Sequence, residues 1–462
     1  MAAIITDKLR KQVADLLLTE ILNGSDSNEY YVGIGKSDQY DDSDNVATPL
    51  RSLREERIAR SNLQSVKQVT TQGASFVIPR YNWASGSIYS GFNDNAAGYP
   101  SNAYYVLTET NEVYICLQQG RNALGVAVVS TVQPSYSTAG VSATQAFQTA
   151  DGYRWKFLYA LSAIKANNFL SANYIPIQFI TDSANTPALN TFEQQQAQVK
   201  EAATAGQILG VNIISGGTGY SSAPTVTFRG NGDSAASATA TISGGTVVKI
   251  EMNNESSALG SGYDYASVHF SGGSPTTAAT ARPIIGPSLG IGYDPRDDLK
   301  STSLMVTVKP DGDEGGTFLV DNQDFRQIIL FKNIKYKDSN GGVGPIFDQT
   351  AGKALRSILV DSASTLTADN LLSGDSANAY IDQISGTTIF YHQNENTGFG
   401  TFAEEPLTDD GGGTATVLQA LDSDGRGAAV NAFSGDILYI ENRAAIERTT
   451  SQSEDIKIVL TF

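Results

Sequence analysis

Two histidines, His269 and His392, are the first residues to test for chemistry, since the 462-residue chain has no others. Each stands beside an aromatic residue in an apolar run, and neither has metal-ligand spacing to the other or to the single cysteine, Cys116. A Ser/His/Asp triad is assembled in space, so spacing alone does not exclude one, but no Gly-x-Ser-x-Gly elbow accompanies either ring. Both are expected to be packed strand residues. Glycoside cleavage needs only two carboxylates, and the chain has 48 acidic residues. Asp151, Asp294, Asp324 and Glu441 lie on or near strand-like runs, yet nothing in their spacing singles out a pair. The acidic loops at Asp41, Asp42 and Asp44 and at Asp422-Ser-Asp-Gly-Arg lack the Asp-x-Asp-x-Asp-Gly frame and closing Glu of a calcium loop, and read as solvated turns. Gly33, Gly35 and Lys36-Ser37 suggest a phosphate loop, but the first glycine of that motif would fall on Tyr30 and no helix start follows. No catalytic residue, cofactor or metal is expected.

The composition points to many short strands. Hydrophobic residues make up 40%, with 21 Tyr and 18 Phe against 2 Trp and 3 Met, and the 44 Gly cluster with Ser, Thr, Asn and Asp at turns. The expected fold class is therefore mainly β. A formal net charge of -17 argues against nucleic acid or an anionic membrane as the main partner. Cys116, in Val113-Tyr-Ile-Cys-Leu, reads as a small buried apolar residue, and one cysteine permits no intrachain disulfide, which fits assembly in a reducing cytoplasm. No secretory signal and no bilayer-spanning apolar run is apparent.

Along the chain, Leu9, Val13, Leu16, Leu17 and Ile21 fall at helical spacing, with Thr6 or Asp7 as cap and Asn23-Gly24 as stop. Their apolar stripe needs a partner, either the following sheet or a neighbouring subunit. Tyr30 begins a strand, and the charged stretch Leu50 to Lys67 reads as a short solvated helix. The run Phe76-Val-Ile-Pro is a strand that then presents Arg80 and an aromatic pair at an edge. Asn102 to Leu117 reads as a hairpin, and Asp151 to Tyr159 places Tyr153, Trp155, Phe157 and Tyr159 on one face with Arg154 and Lys156 on the other. Asn190 to Thr204 is helix-prone. From Gly206 to Ile285 the chain turns Gly-, Ser-, Thr- and Ala-rich and echoes itself: Gly216-Gly-Thr-Gly-Tyr220 with Val226-Thr-Phe228 returns as Gly260-Ser-Gly-Tyr263 with Val268-His-Phe270. This is read as an inserted small all-β domain with a two-fold internal repeat, set between body segments 1–205 and 286–462. Strand candidates resume at Leu304 to Val308, Asp324 to Phe331, Ala379-Tyr-Ile and Thr388 to Tyr391. Two more close the sequence, Ile437 to Ile440 and Ile456 to Leu460, the last expected to be tied into a sheet.

The segment Ser434-Gly-Asp-Ile-Leu-Tyr-Ile-Glu-Asn-Arg443, followed by Glu454-Asp-Ile-Lys-Ile-Val-Leu-Thr-Phe462, resembles the C-terminus of the dimeric, β-rich baseplate wedge subunits of T4-like contractile-tailed phages, the products of gene eight. Four earlier blocks match the family's pattern in the same order. They are Tyr31 to Asp38, which leads on to Tyr40 and Pro49, then Phe76 to Trp83, Asp151 to Leu158 and Phe325 to Ile329. The resemblance implies a multilayer β-sandwich with a few short helices that pairs as a symmetric homodimer, binds other wedge proteins of the same phage and helps hold the baseplate until the sheath contracts. It implies a virion protein of the tail baseplate that binds without chemistry or cofactor. Aromatic and Arg anchors in apolar patches carry such interfaces, which nominates Arg80, Trp83, Tyr153, Trp155, Arg326, Tyr439 and Arg443 as contacts, with a core role the stronger reading for Tyr153 and Trp155. Two other readings stay open: a tail-associated polysaccharide depolymerase built on a carboxylate pair, and a carbohydrate-binding fibre or adhesin module carried by the Gly/Tyr repeats.

Overall fold

The computed structural model describes residues 3–462 except 25–27, 41–45, 100–101, 185, 254–255, 312–317, 319–322, 339–341, 420–428 and 450–452. The mainly β fold expected from composition is the one found, with a handful of helices and many sheets. The chain divides into two compact units. One comprises Met1–Ala14, Ser75–Leu304 and Thr461–Phe462, the other Asp15–Ala74 and Met305–Leu460. Residues 206–285 fall within the first.

The second unit is built on a five-stranded sheet in the order Ala351–Lys353, Leu63–Gln68, Tyr30–Gly35, Gln323–Lys332, Asp436–Arg448. Alternation along its middle strands supplies two cores. Tyr30, Val32, Ile34, Ile328 and Leu330 face one core, shared with Val306, Val308, Ile456 and Ile458. Tyr31, Ile329 and Phe331 face the other, with Leu63, Val66, Ile334 and Phe347. Every residue of Tyr30–Gly35 is buried, as expected of a strand covered on both faces. The stretch Leu50 to Lys67 differs from the single helix its charges suggest: the helix is Leu53–Ser61, and Leu63–Gln68 is a strand of this sheet. Asn62 caps the helix, and Leu63 and Val66 enter the core, so burial overrides the helical propensity of the charged run before them.

The strand candidates after Ile358 close into a six-stranded barrel, Arg356–Val360, Thr388–His392, Asn378–Ser385, Leu371–Ser373, Pro406–Asp409 and Thr414–Gln419 in spatial order. Its interior is filled by residues such as Ile358, Leu372, Ile381, Ile389, Tyr391, Phe402 and Val417.

In the first unit the expected hairpin is Tyr105–Leu107 paired with Glu112–Gln118, with Asn111 in a left-handed conformation (φ 59°) at the turn. Beside it runs Arg154–Ala160, every residue of which is buried. Tyr153 and Trp155 stack at 5.8 Å within an aromatic core that also holds Phe157, Tyr114 and Phe147. Arg154 and Lys156, on the other face, are covered as well. Their heads donate to the carbonyls of Asn253 (2.9 Å) and Ile291 (2.7 Å), and burial pushes Lys156 down to about 8.

Within 206–285 the two echoed segments pair with each other. Val226 lies opposite Phe270, Thr227 opposite His269 and Phe228 opposite Val268, so equivalent residues exchange places across a local two-fold axis. The two tyrosines play matching parts: the Tyr220 hydroxyl accepts from Ala279 N (2.8 Å) and that of Tyr263 from Ala236 N (3.3 Å), both in buried surroundings. The hairpin expected about Ser243-Gly-Gly245 is Ala238–Ser243 paired with Thr246–Met252. Replacing Tyr220 by Phe orphans a buried N–H and should cost about 1–3 kcal/mol. The longer bond of Tyr263 makes Tyr263→Phe the milder change. Calorimetric melting of the two variants checks this, and equal melting of both with the parent would refute it.

Candidate functional site

His392 ends a barrel strand, and its partner comes from an irregularity in the next one. The register between Asn378–Ser385 and Thr388–His392 shifts between Ile381 and Gln383, and the extra residue, Asp382, turns its carboxylate to the ring, as bulges re-aim side chains. His392 Nδ1 lies 2.8 Å from Asp382 Oδ2 and Nε2 3.7 Å from Asp38 Oδ1. Lys36 Nζ pairs with Asp38 at 2.8 Å, and Gln64 Nε2 donates to Asp382 Oδ1 at 2.7 Å. His392, Asp38 and Asp382 are each no more than 3% exposed at the side chain.

Burial alone would push the His392 pKa down, but the charges of Asp382 and Asp38 outweigh it and hold the ring at about 9. For Asp38, burial likewise opposes ionisation, and His392 and Lys36 overcome it, holding the carboxyl below its usual range. At neutral pH the ring is therefore held protonated between Asp382 and Asp38. The ring's Nε2 faces a carboxylate in place of a hydroxyl. The arrangement is a buried charge cluster that ties the barrel to the end of strand Tyr30–Gly35, and His392 also lines a cavity of about 260 Å³ with Arg60, Tyr391 and Phe399.

The tempting phosphate-loop residues serve the same end. A Cβ on Gly33 would sit 2.6 Å from Leu63 Cδ1, and one on Gly35 would sit 2.3 Å from the Asn62 carbonyl oxygen, so both glycines answer to close packing. Lys36 turns with φ 63° and spends its ammonium on Asp38.

The four acids singled out by their place on strand-like runs have structural partners. Asp151 accepts from the backbone of Thr131 and Val132 (2.7 and 3.0 Å), Asp294 caps the helix Pro295–Asp298 and pairs with Arg296, Asp324 pairs with Arg326, and Glu441 accepts from the Tyr439 hydroxyl. The acidic loops at Asp41, Asp42 and Asp44 and at 422–426 lie outside the described residues. Among the described residues no group of three or more His, Cys, Asp or Glu could hold a metal ion, and no helix is long and apolar enough to cross a membrane.

The residues nominated as binding contacts separate by exposure. Tyr153 and Trp155 are 0% exposed, which is a core role. Arg326 is buried and donates to the Ser37 carbonyl and to Asp324 (2.8 Å). Arg80 is half-buried, donating to Ser171 O (2.7 Å) and Asn82 Oδ1 (2.9 Å), and Trp83 is half-buried with its indole N–H on Ser130 Oγ (3.2 Å). Tyr439 and Arg443 lie partly exposed on Asp436–Arg448, the outermost strand of its sheet. Beside Tyr439 a shallow groove of about 380 Å³ is lined by Leu50, Leu53 and Leu438, all exposed. Sequence reasoning missed these leucines, although two of them flank a helix start amid charges.

The N-terminal helix, Asp7–Asn23, is apolar on two sides. Leu17, Leu18 and Ile21 turn inward to the core of the second unit. Leu9, Val13 and Leu16, at 51%, 43% and 62% exposure, form a stripe on the outer side. No protein-family model matches the chain, and no curated protein matches its sequence.

Because the folded pKa of His392 lies above the unfolded one near 6.5, the stability it contributes is full below about pH 6.5 and is lost as pH rises through about 9. Denaturant titrations of the parent should show that loss, and His392→Gln should lack it. Asp382→Asn leaves a buried cation short of its partner and should cost about 3–5 kcal/mol at neutral pH. A pH profile unchanged by His392→Gln would overturn the assignment.

Proposed function

We propose that this chain is a structural virion protein, a baseplate wedge subunit of a contractile-tailed phage that dimerises and binds neighbouring wedge proteins. The resemblance of Ser434 to Phe462 and of the four earlier blocks supplies the identity. The observation that carries a binding role is the outer stripe of the N-terminal helix: Leu9, Val13 and Leu16 keep an apolar face in water while the helix is already anchored by its other side. The occupant proposed is a second copy of the chain. The spacing of four and then three residues is that of a helix-pairing seam, and an antiparallel copy would set Leu9 of each helix against Leu16 of the other about a two-fold axis near Val13, a self-complementary contact. The outermost strand Asp436–Arg448, with its leucine groove, is the surface proposed for a neighbouring wedge protein, since an open sheet edge accepts an added strand.

Light scattering should give the mass of a dimer for the parent and of a monomer for Leu9→Glu/Leu16→Glu. The substitutions touch exposed positions, so folding stability should change by no more than about 0.5 kcal/mol each. Pull-down with recombinant wedge neighbours should retain the parent and lose a Leu50→Glu/Leu438→Glu variant. A parent that is monomeric, or that releases reducing sugar from host envelope, would sink the proposal.

A further inference from the structure

The cavity of about 260 Å³ that His392 borders lies wholly within the second unit. Its inner wall is continuous with a core. Leu63 and Val430 are buried members of the cluster that holds Tyr31 and Phe331, and Ala354 and Ala432 pack against that cluster. Two further lining residues are aromatic rings open to water, Phe399 at 66% and Phe433 at 60% exposure. The polar lining is cationic: Arg60, Lys337, Arg356 and His392 border the space, and no described Asp or Glu does.

The charge of His392 is answered by Asp382 and Asp38, neither of which lines the cavity. Arg60 is held differently. Its Nη1 donates to the carbonyls of Ala432 (3.0 Å) and Ser434 (2.6 Å) and its Nη2 to that of Gly435 (2.7 Å), which take its hydrogens without cancelling its charge. Burial brings the guanidinium below its ordinary value, outweighing the through-space pull of Glu56 and Asp436. The Nε–H and the second hydrogen of Nη2 make no hydrogen bond among the described residues. The three carbonyls belong to the turn that carries Phe433, so the cation and one ring are fixed relative to each other.

We propose that this cavity binds a carboxylate carried on an aromatic or aliphatic body about the size of one amino-acid side chain. The planar fork of an arginine matches a carboxylate and gains most from one where burial leaves its charge under-compensated. The wall from Leu63 to Val430 and the rings of Phe399 and Phe433 take the body. A cationic ligand would meet like charge, and a hydroxyl-rich one would leave the apolar wall uncovered. The volume lies below the ~300 Å³ at which pockets for drug-sized ligands begin, so one side chain with its carboxylate is what fits. Such a group comes from a free small acid or from the chain end of a partner.

The test is saturation-transfer NMR on the full-length protein with N-acetylphenylalanine and N-acetylleucine, the corresponding amides, inorganic phosphate, and a tripeptide ending in phenylalanine. At least one acid should bind about tenfold or more tighter than its amide, the loss expected when a charge-assisted contact is removed. Its binding should disappear in Phe433→Glu and in Phe399→Glu, which bring a like charge to the cavity. Both positions are exposed, so melting should be unchanged, whereas replacing Arg60 would also release its turn. The contrast of acid with amide is read on the parent and stands apart from the folding of either variant. A tripeptide that binds tighter than the single residue marks a chain end as the source, and equal affinity marks a free acid. Transfer to neither acid, equal binding of acid and amide, transfer to phosphate alone, or acid binding that survives either variant would overturn the proposal.

Discussion

A strand with no exposed face must be fitted from both sides, and Tyr30–Gly35 meets that condition by giving up side chains where its neighbours come closest. The absence of a Cβ at 33 makes room for Leu63 and Phe331, and its absence at 35 lets the Asn62 carbonyl approach. With the strand seated, Leu63–Gln68 pairs on one flank and Gln323–Lys332 on the other, and cores form above and below the sheet. The chain then leaves through Lys36 and Asp38, which carry the fold into the histidine cluster. Hydrophobic burial on two faces and a neutralised ion set at one end therefore act on the same segment. The first is non-directional and fixes which residues are inside. The second is directional and fixes where the barrel sits against that strand.

Much of this architecture was legible because local pattern and burial agree. The N-terminal helix, the hairpin at Thr108 to Asn111, the aromatic strand after Asp151, the capped helix Thr191–Glu201 and the closing strands all follow from spacing and turn residues. What could not be read is non-local. Ala379-Tyr-Ile and Thr388 to Tyr391 are strands by composition, but nothing in them specifies that Arg356–Val360 will pair with both Thr388–His392 and Thr414–Gln419 and so close a barrel. The charged helix before Leu63 ended earlier than its composition suggests because propensity is worth tenths of a kcal/mol per residue and core burial of a leucine or valine about 1.5–3.

The site was legible to a lesser degree, for the same reason. Helical spacing placed Leu9, Val13, Leu16, Leu17 and Ile21 in one broad stripe, yet the core covers only its Leu17 and Ile21 flank and leaves the adjoining flank of Leu9, Val13 and Leu16 exposed. Choosing contacts by residue type brought in Tyr153 and Trp155, because the property that makes aromatics good anchors also makes them good core. His392 was readable as a packed strand residue. Its partners were not, since Asp382 reaches it through a bulge and Asp38 through the tertiary fold.

The strand pairing inside 206–285 has a consequence for how such a chain can be assembled by evolution. Ile208, near the start of the segment, and Ile285, at its end, are register partners in one antiparallel pair. The segment thus enters and leaves through a doorway one strand-spacing wide, ~5 Å, while its duplicated halves satisfy one another across their own axis. A piece built in this way can be spliced into a surface turn, or cut out of it, without prising apart the sheet on either side. The host turn has only to part by the width of a single hydrogen-bonded pair.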